Sequence, residues 1–144
     1  MSKKILWLDN DLAFLKPYKT ALEREGHEVT ARKTVSEAEE LINKVRYDLL
    51  VLDVMIPTKS DQEEEIYPPG VTGYGHQMGL FFYRRMKDKL DDAGTPVLVM
   101  TVRIDKDLSD DFAEAGLPRE NFALKSRLCE VSTFVEKVKE VGGW

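Results

Sequence analysis

The chain has 144 residues, 42% of them apolar and 33% charged, with a formal net charge of −5. Those proportions describe a globular protein with one substantial core, not a disordered chain. The negative balance argues against a nucleic-acid partner, which calls for a basic face, and no apolar run approaches the roughly 18–20 residues that span a bilayer. Met1-Ser2-Lys3-Lys4 leads into a short apolar stretch ending at Asp9, which does not read as a secretion signal. Cys129 stands alone, so there is no internal disulfide framework; it fits a reducing cytoplasm and reads as a small helix residue. The expectation is a cytoplasmic single domain over residues 1–144.

Ile5-Leu6-Trp7-Leu8, after the basic pair Lys3-Lys4, reads as a buried strand that ends in Asp9-Asn10-Asp11. A helix should follow to about Glu25, with Gly26 as its stop. Pro17 removes an amide donor and clashes with the preceding turn, so that helix either begins late or kinks there. Glu28 to Arg32 is a more polar strand, suited to a place near the sheet edge. Thr34-Val35-Ser36-Glu37 resembles an N-cap with Glu37 reaching back. The helix it opens runs to about Val45 and puts Ala38, Leu41, Ile42 and Val45 on one face. Leu49 to Leu52 is a fully apolar run bounded by Asp53 and then Pro57, the pattern of a strand covered on both faces.

Residues 58–78 read as a long inserted loop. It holds the acidic run Asp61-Gln62-Glu63-Glu64-Glu65, and two prolines and three glycines fall within Tyr67–Gly75. Glu63-Glu64-Glu65 reads as a solvated face and His76 as a solvated loop residue. Tyr67 and Tyr74, beside Pro68-Pro69, are candidates for partner contact, since rigid aromatics bind at low entropic cost. Helical pattern returns from Gly79 to about Leu90, with Leu80, Tyr83 and Met86 facing inward, until Gly94-Thr95-Pro96 breaks it. Pro96 to Thr101 is another apolar strand, Asp107 to Ala115 a short helix stopped by Gly116, and Asn121 to Leu124 a last strand ending on Lys125. Leu128 to Val141 closes the chain as a helix, frayed by Gly142-Gly143 before Trp144. Strict strand–helix alternation predicts an α/β fold, a doubly wound parallel sheet with right-handed crossovers and helices on both faces.

In such a sheet the carboxyl ends of the strands share one edge, where ligands bind. That edge collects Asp9-Asn10-Asp11, Asp53, Thr101 and Lys125. Acidic oxygens can hold a hard divalent ion, while a hydroxyl and an ammonium engage phosphoryl oxygens. A carboxylate among them can itself accept the phosphoryl group as an acyl phosphate.

With these residues in this order, the sequence resembles the receiver domain of two-component response regulators over nearly its whole length. The resemblance rests on the acidic cluster after the first strand and on Asp53 within Leu52-Asp53-Val54-Met55-Ile56-Pro57. It rests equally on Thr101 after Val97-Leu98-Val99-Met100 and on Lys125 after Phe122-Ala123-Leu124, and Met78-Gly79-Leu80 is similar to the start of the family's third helix. It implies a flavodoxin-like five-stranded sheet of order 2-1-3-4-5. Asp53 would be the phospho-acceptor, supplied by a histidine kinase or a phosphotransfer protein. Mg2+ would be held by Asp9, Asn10, Asp53 and the carbonyl of Met55. Thr101 would be the switch hydroxyl, Lys125 the partner of the phosphoryl oxygens and Phe122 the aromatic switch. Chemistry would be limited to phosphorylation and dephosphorylation of Asp53. The signal would leave for a separate output protein through the helix near 107–115, the strand near 121–124 and the helix near 128–141, with no nucleic acid or membrane involved.

The sequence departs from the family pattern in four places. Asn10 stands for the second carboxylate, which should weaken magnesium. Val102 follows Thr101 where a small residue is preferred, and Ser126 follows Lys125 where proline is usual. Pro57 and Gly79 are 22 positions apart, well beyond the family's tight turn. These features motivate a second reading, a pseudo-receiver that binds partners without phosphorylation. A third reading takes Asp9-Asn10-Asp11 as the Asp-x-Asp signature of haloacid-dehalogenase-type phosphatases, with Asp9 as nucleophile and Asp11 as acid/base. Leu12-Ala13 departs from the usual continuation of that signature, and Asp53 would then have no role.

Overall fold

The apolar runs become five parallel strands hydrogen-bonded in the order β2-β1-β3-β4-β5. In the computed structural model, which describes residues 2–57, 61–67, 77–102 and 106–144, they are β1 (Lys4–Leu8), β2 (Glu28–Arg32), β3 (Leu49–Asp53), β4 (Val97–Thr101) and β5 (Phe122–Leu124). The helices are α1 (Leu12–Arg24), α2 (Val35–Lys44), α3 (Asp61–Ile66), α4 (Met78–Ala93), α5 (Lys106–Glu114) and α6 (Val131–Gly142), with 3-10 turns at Arg119–Asn121 and Lys125–Leu128. This is the expected doubly wound fold with the expected strand order. Because side chains alternate along a strand, each central strand feeds two cores. Leu6, Leu8, Leu50, Leu52 and Val99 pack under α2, α4 and α5, through Ala38, Phe82, Met86 and Phe112. Ile5, Trp7, Val51, Leu98 and Met100 pack on the other face against Leu15 and Leu22 of α1 and Phe134 and Val138 of α6. The three central strands β1, β3 and β4 are almost wholly buried, which is why their sequences are apolar at every position and not at every second one.

Local signals set most boundaries. The Asp11 side chain accepts the Phe14 N–H (3.1 Å) and opens α1 ahead of Pro17. The helix therefore neither starts late nor stops at the proline; its buried face of Leu15, Tyr18 and Leu22 spans the missing donor. The Thr34 hydroxyl accepts the Glu37 N–H (3.2 Å) and donates to the Glu37 carboxylate (2.9 Å), a tighter version of the expected cap. Ala38 is buried, and Leu41, Ile42 and Val45 pack against the core as the helical spacing required.

Other expectations are corrected. The span read as a loop over 58–78 contains α3, and Glu63 within its acidic run is buried, accepting a hydrogen bond from the Ser36 hydroxyl of α2 at 2.6 Å. Tyr67, four residues on, is buried in the core instead of facing a partner, and its hydroxyl finds no hydrogen-bond partner among the described residues. Burial, reinforced by Glu39, pushes the Tyr67 phenol well above its ordinary range. Tyr74 and His76 lie outside the described residues. Cys129 is exposed in the connection before α6 and is not a helix residue. The chain end is not frayed: α6 runs through Gly142, Gly143 caps it, and Trp144 folds back onto His27.

Candidate acceptor site at the carboxyl edge

β1 and β3 lie side by side, in register through Leu8 and Leu52, so their next residues, Asp9 and Asp53, emerge together at the carboxyl edge. Asp9 is fully buried and Asp53 is 6% exposed. Two carboxylates this deep need a counter-charge. Lys125 supplies it from the end of β5, itself buried, with Nζ 2.8 Å from Asp9 Oδ2 and 3.7 Å from Asp53 Oδ2. Phe14 of α1 lies under the same ammonium, its ring centroid 5.2 Å away, and adds a cation–π contact. Lys125 thus reaches the pair although Ser126 stands where proline was expected; there are no cis peptide bonds among the described residues.

Backbone donors hold the carboxylates in place. The Asp11 N–H donates to Asp9 Oδ1 at 2.9 Å, and the Met55 N–H approaches Asp53 Oδ1 at 3.4 Å. Even so, the Asp53 carboxyl is pushed up to about 7. Burial is the largest cause and the neighbouring Asp9 charge the second; Lys125 and the Met55 and Val54 amides pull it back only in part. The site holds more negative charge than its lysine balances.

The remaining predicted residues fall around this centre. Met100 lies beside Asp53 in the ladder, so Thr101, fully buried at the end of β4, comes one step beyond the last pair of β3 with β4. Phe122 is half-buried on β5, its ring 5.7 Å from that of Phe112 in α5. Asn10 is exposed, and the Asp11 carboxylate caps α1. Val102 is 65% exposed and faces solvent. Asp9, Asp53 and Lys125 are brought together; Asn10 follows Asp9 directly, and Phe122 packs toward α5.

Two contributors escaped sequence reasoning. Phe14 carried no signal beyond its place in the first turn of α1. Gly79 was read as a helix start, yet its role is steric: a Cβ there would fall 2.4 Å from the Asp53 carbonyl oxygen and 2.7 Å from Val54 Cα. Its N–H donates to the Val54 carbonyl at 2.9 Å, pinning α4 onto the turn after β3. A glycine opening a helix right after a long segment was the signal for this close approach.

The hard oxygen donors that the structure places together at this edge, and that could hold a cation, are the carboxylates of Asp9 and Asp53. Among the described residues no three His, Cys, Asp or Glu side chains converge, so the acidic donors number two, and the surplus charge that raises Asp53 is what a divalent ion would relieve.

A parallel sheet of order 2-1-3-4-5 wrapped by helices is the flavodoxin-like fold on which receiver domains of response regulators are built. Solved structures of that class match the chain end to end. A response regulator from Thermotoga maritima superposes with a TM-score of 0.72 at 23% identity, covering 100% of both chains. A CheY-like response regulator receiver domain protein from Methanospirillum hungatei JF-1 gives a TM-score of 0.73 at 21% identity over 99% of this chain and 95% of its own. A Francisella response regulator receiver domain gives 0.71 at 19% identity over 98% and 97%. No protein-family model matches the sequence. No helix among the described residues is long and apolar enough to cross a membrane.

Proposed function

We propose that the chain is a two-component receiver that accepts a phosphoryl group on Asp53 from a histidine kinase or phosphotransfer protein. The observation that carries the reading is the Asp9–Lys125–Asp53 group, a buried carboxylate pair bridged by one ammonium at 2.8 and 3.7 Å. An Asp53 oxygen attacks phosphorus, the bond from phosphorus to the donor breaks, and the donor leaves with that electron pair. Lys125 lies close enough to turn from Asp53 to the new phosphoryl oxygens, and the Thr101 hydroxyl borders the same edge. Mg2+ held by Asp9, Asp53 and the Met55 carbonyl, with Asn10 beside them, would neutralise charge on the transferring group. The output face would be α5, β5 and α6, where a groove of about 440 Å³ has an apolar floor that includes Phe122 and Leu128, and Lys106, Arg127 and Lys137 at its rim.

Incubation with magnesium and acetyl phosphate, followed by intact mass, tests the reading. A labile phosphoryl adduct that disappears in Asp53→Asn is expected. The pseudo-receiver reading is favoured by the exposed, uncharged Asn10; it predicts no adduct in the wild type, nor any response to beryllofluoride. Steady turnover of phosphate esters lost in Asp9→Asn but kept in Asp53→Asn would replace both with a phosphatase.

A further inference from the structure

The amino edge of the sheet, opposite Asp53, carries a built feature that phosphorylation leaves unused. Gly143 adopts φ +73°, and the Trp144 N–H donates to the Lys139 carbonyl at 2.9 Å, closing the chain over the end of α6. Gly142 makes room for the returning indole, since a Cβ there would fall 2.5 Å from Trp144 Cε2. The Gly-Gly-Trp turn lays the indole beside His27, ring centroids 5.0 Å apart and planes at 40°. The Lys3 N–H donates to His27 Nδ1 at 3.2 Å, which leaves the imidazole proton on Nε2. Burial, ahead of the nearby charges, lowers the His27 pKa and favours the neutral ring.

These residues line a cavity of about 660 Å³, within the usual range for small-molecule sites. Lys139 is satisfied by Glu25 at 3.0 Å, whereas the Lys3 ammonium has no carboxylate partner among the described residues and hangs 5.9 Å from the Trp144 ring centroid. An aromatic pair, a ring N–H and a cation with no close ion pair among the described residues together describe a complementary ligand.

We propose that this cavity binds a small planar ring that carries an anionic group. The ring lies on the indole–imidazole wall, and the anion, a phosphate or a carboxylate, sits on Lys3. This site is independent of the acceptor edge and does not rest on the phosphorylation reading.

The test is a titration of the 15N-labelled full chain with AMP and, separately, with benzoate, following the two indole N–H signals. A saturable shift of the Trp144 signal is expected with AMP, with benzoate or with both, which separates phosphate from carboxylate as the favoured anion. The buried Trp7 signal should stay in place. Adenosine and inorganic phosphate, each offering half of the recognition, should bind about tenfold more weakly. Lys3→Met should weaken the anionic ligand about tenfold and leave adenosine unchanged, and Asp53→Asn should bind like the wild type. The proposal is overturned if neither anion shifts Trp144 saturably, if Lys3→Met binds as tightly as the wild type, or if Asp53→Asn abolishes binding.

Discussion

Asp53 combines burial with a nearby cation, and the two pull its proton in opposite directions. Burial and Asp9 prevail, raising the carboxyl from the ordinary 3.8 to about 7. The folded chain therefore holds a proton that the unfolded chain releases across that interval. Its stabilising contribution is full below about pH 4 and lost as pH rises through 7. With divalent ions chelated, the unfolding free energy should fall between pH 5 and pH 8. Asp53→Asn should flatten that slope and exceed the wild type at pH 8 by about 2 kcal/mol, less than the whole shift converts to because Lys125 retains Asp9. Urea titrations at the two pH values check this, and equal slopes in the two proteins would remove the assignment. Gly79 sets a second single-residue test. Gly79→Ala forces a Cβ into the turn after β3, against the Asp53 carbonyl, and a loss of about 1–3 kcal/mol is expected in the same assay. At this scale the acidic residues and the lysine were legible, because a polar residue ending an apolar strand has few other reasons to be there. Phe14 and Gly79 were not, because their roles lie in contacts between distant segments.

Among the elements, α3 separates what patterning reveals from what composition hides. Three consecutive glutamates suggest a solvated face, and Glu64 and Glu65 are indeed exposed. Glu63 and Tyr67, however, are four apart and occupy the same side of the helical turn, where both are buried against α2 and the core. The spacing was present in the sequence, but the glycines and prolines that follow drew the whole segment into a loop. Docking of α3 should then depend on one carboxylate of the three. Glu63→Ala removes the acceptor of the Ser36 hydroxyl and should cost about 1–2 kcal/mol, whereas Glu64→Ala should leave the thermal midpoint where it is. Equal effects of the two substitutions in thermal unfolding would mean that Glu63 contributes nothing specific. The strands were legible almost to the residue, since buried parallel strands permit few polar positions. The ends of α1 and α6 were less so: tertiary packing carries α1 through Pro17, and the Trp144 contact keeps α6 ordered through Gly142.

Across the whole molecule, two cores do the folding while the carboxyl edge works against it. Alternation of strand and helix was enough to foresee the layers, and the order of the strands followed from the receiver resemblance. What the sequence did not display was the balance of charge at the edge, because Lys125 reaches Asp9 across 116 positions of chain. That balance yields a test of the assembled fold. Lys125→Met keeps most of the side chain's volume and removes its charge, so two buried carboxylates face each other with backbone amides alone. At pH 8, removing one partner of a buried charge cluster should cost about 3 kcal/mol, read as a lower urea midpoint with the denaturant slope unchanged. If the edge is a cation site, magnesium should return part of that loss, since a ligand of the folded state stabilises it by mass action. Magnesium should then raise the midpoint of Lys125→Met more than that of the wild type, where the ammonium already occupies the space between the carboxylates. A variant as stable as the wild type without magnesium would mean that Lys125 does not hold the pair. A destabilised variant indifferent to magnesium would leave the charge balance intact and remove the metal from the proposed chemistry.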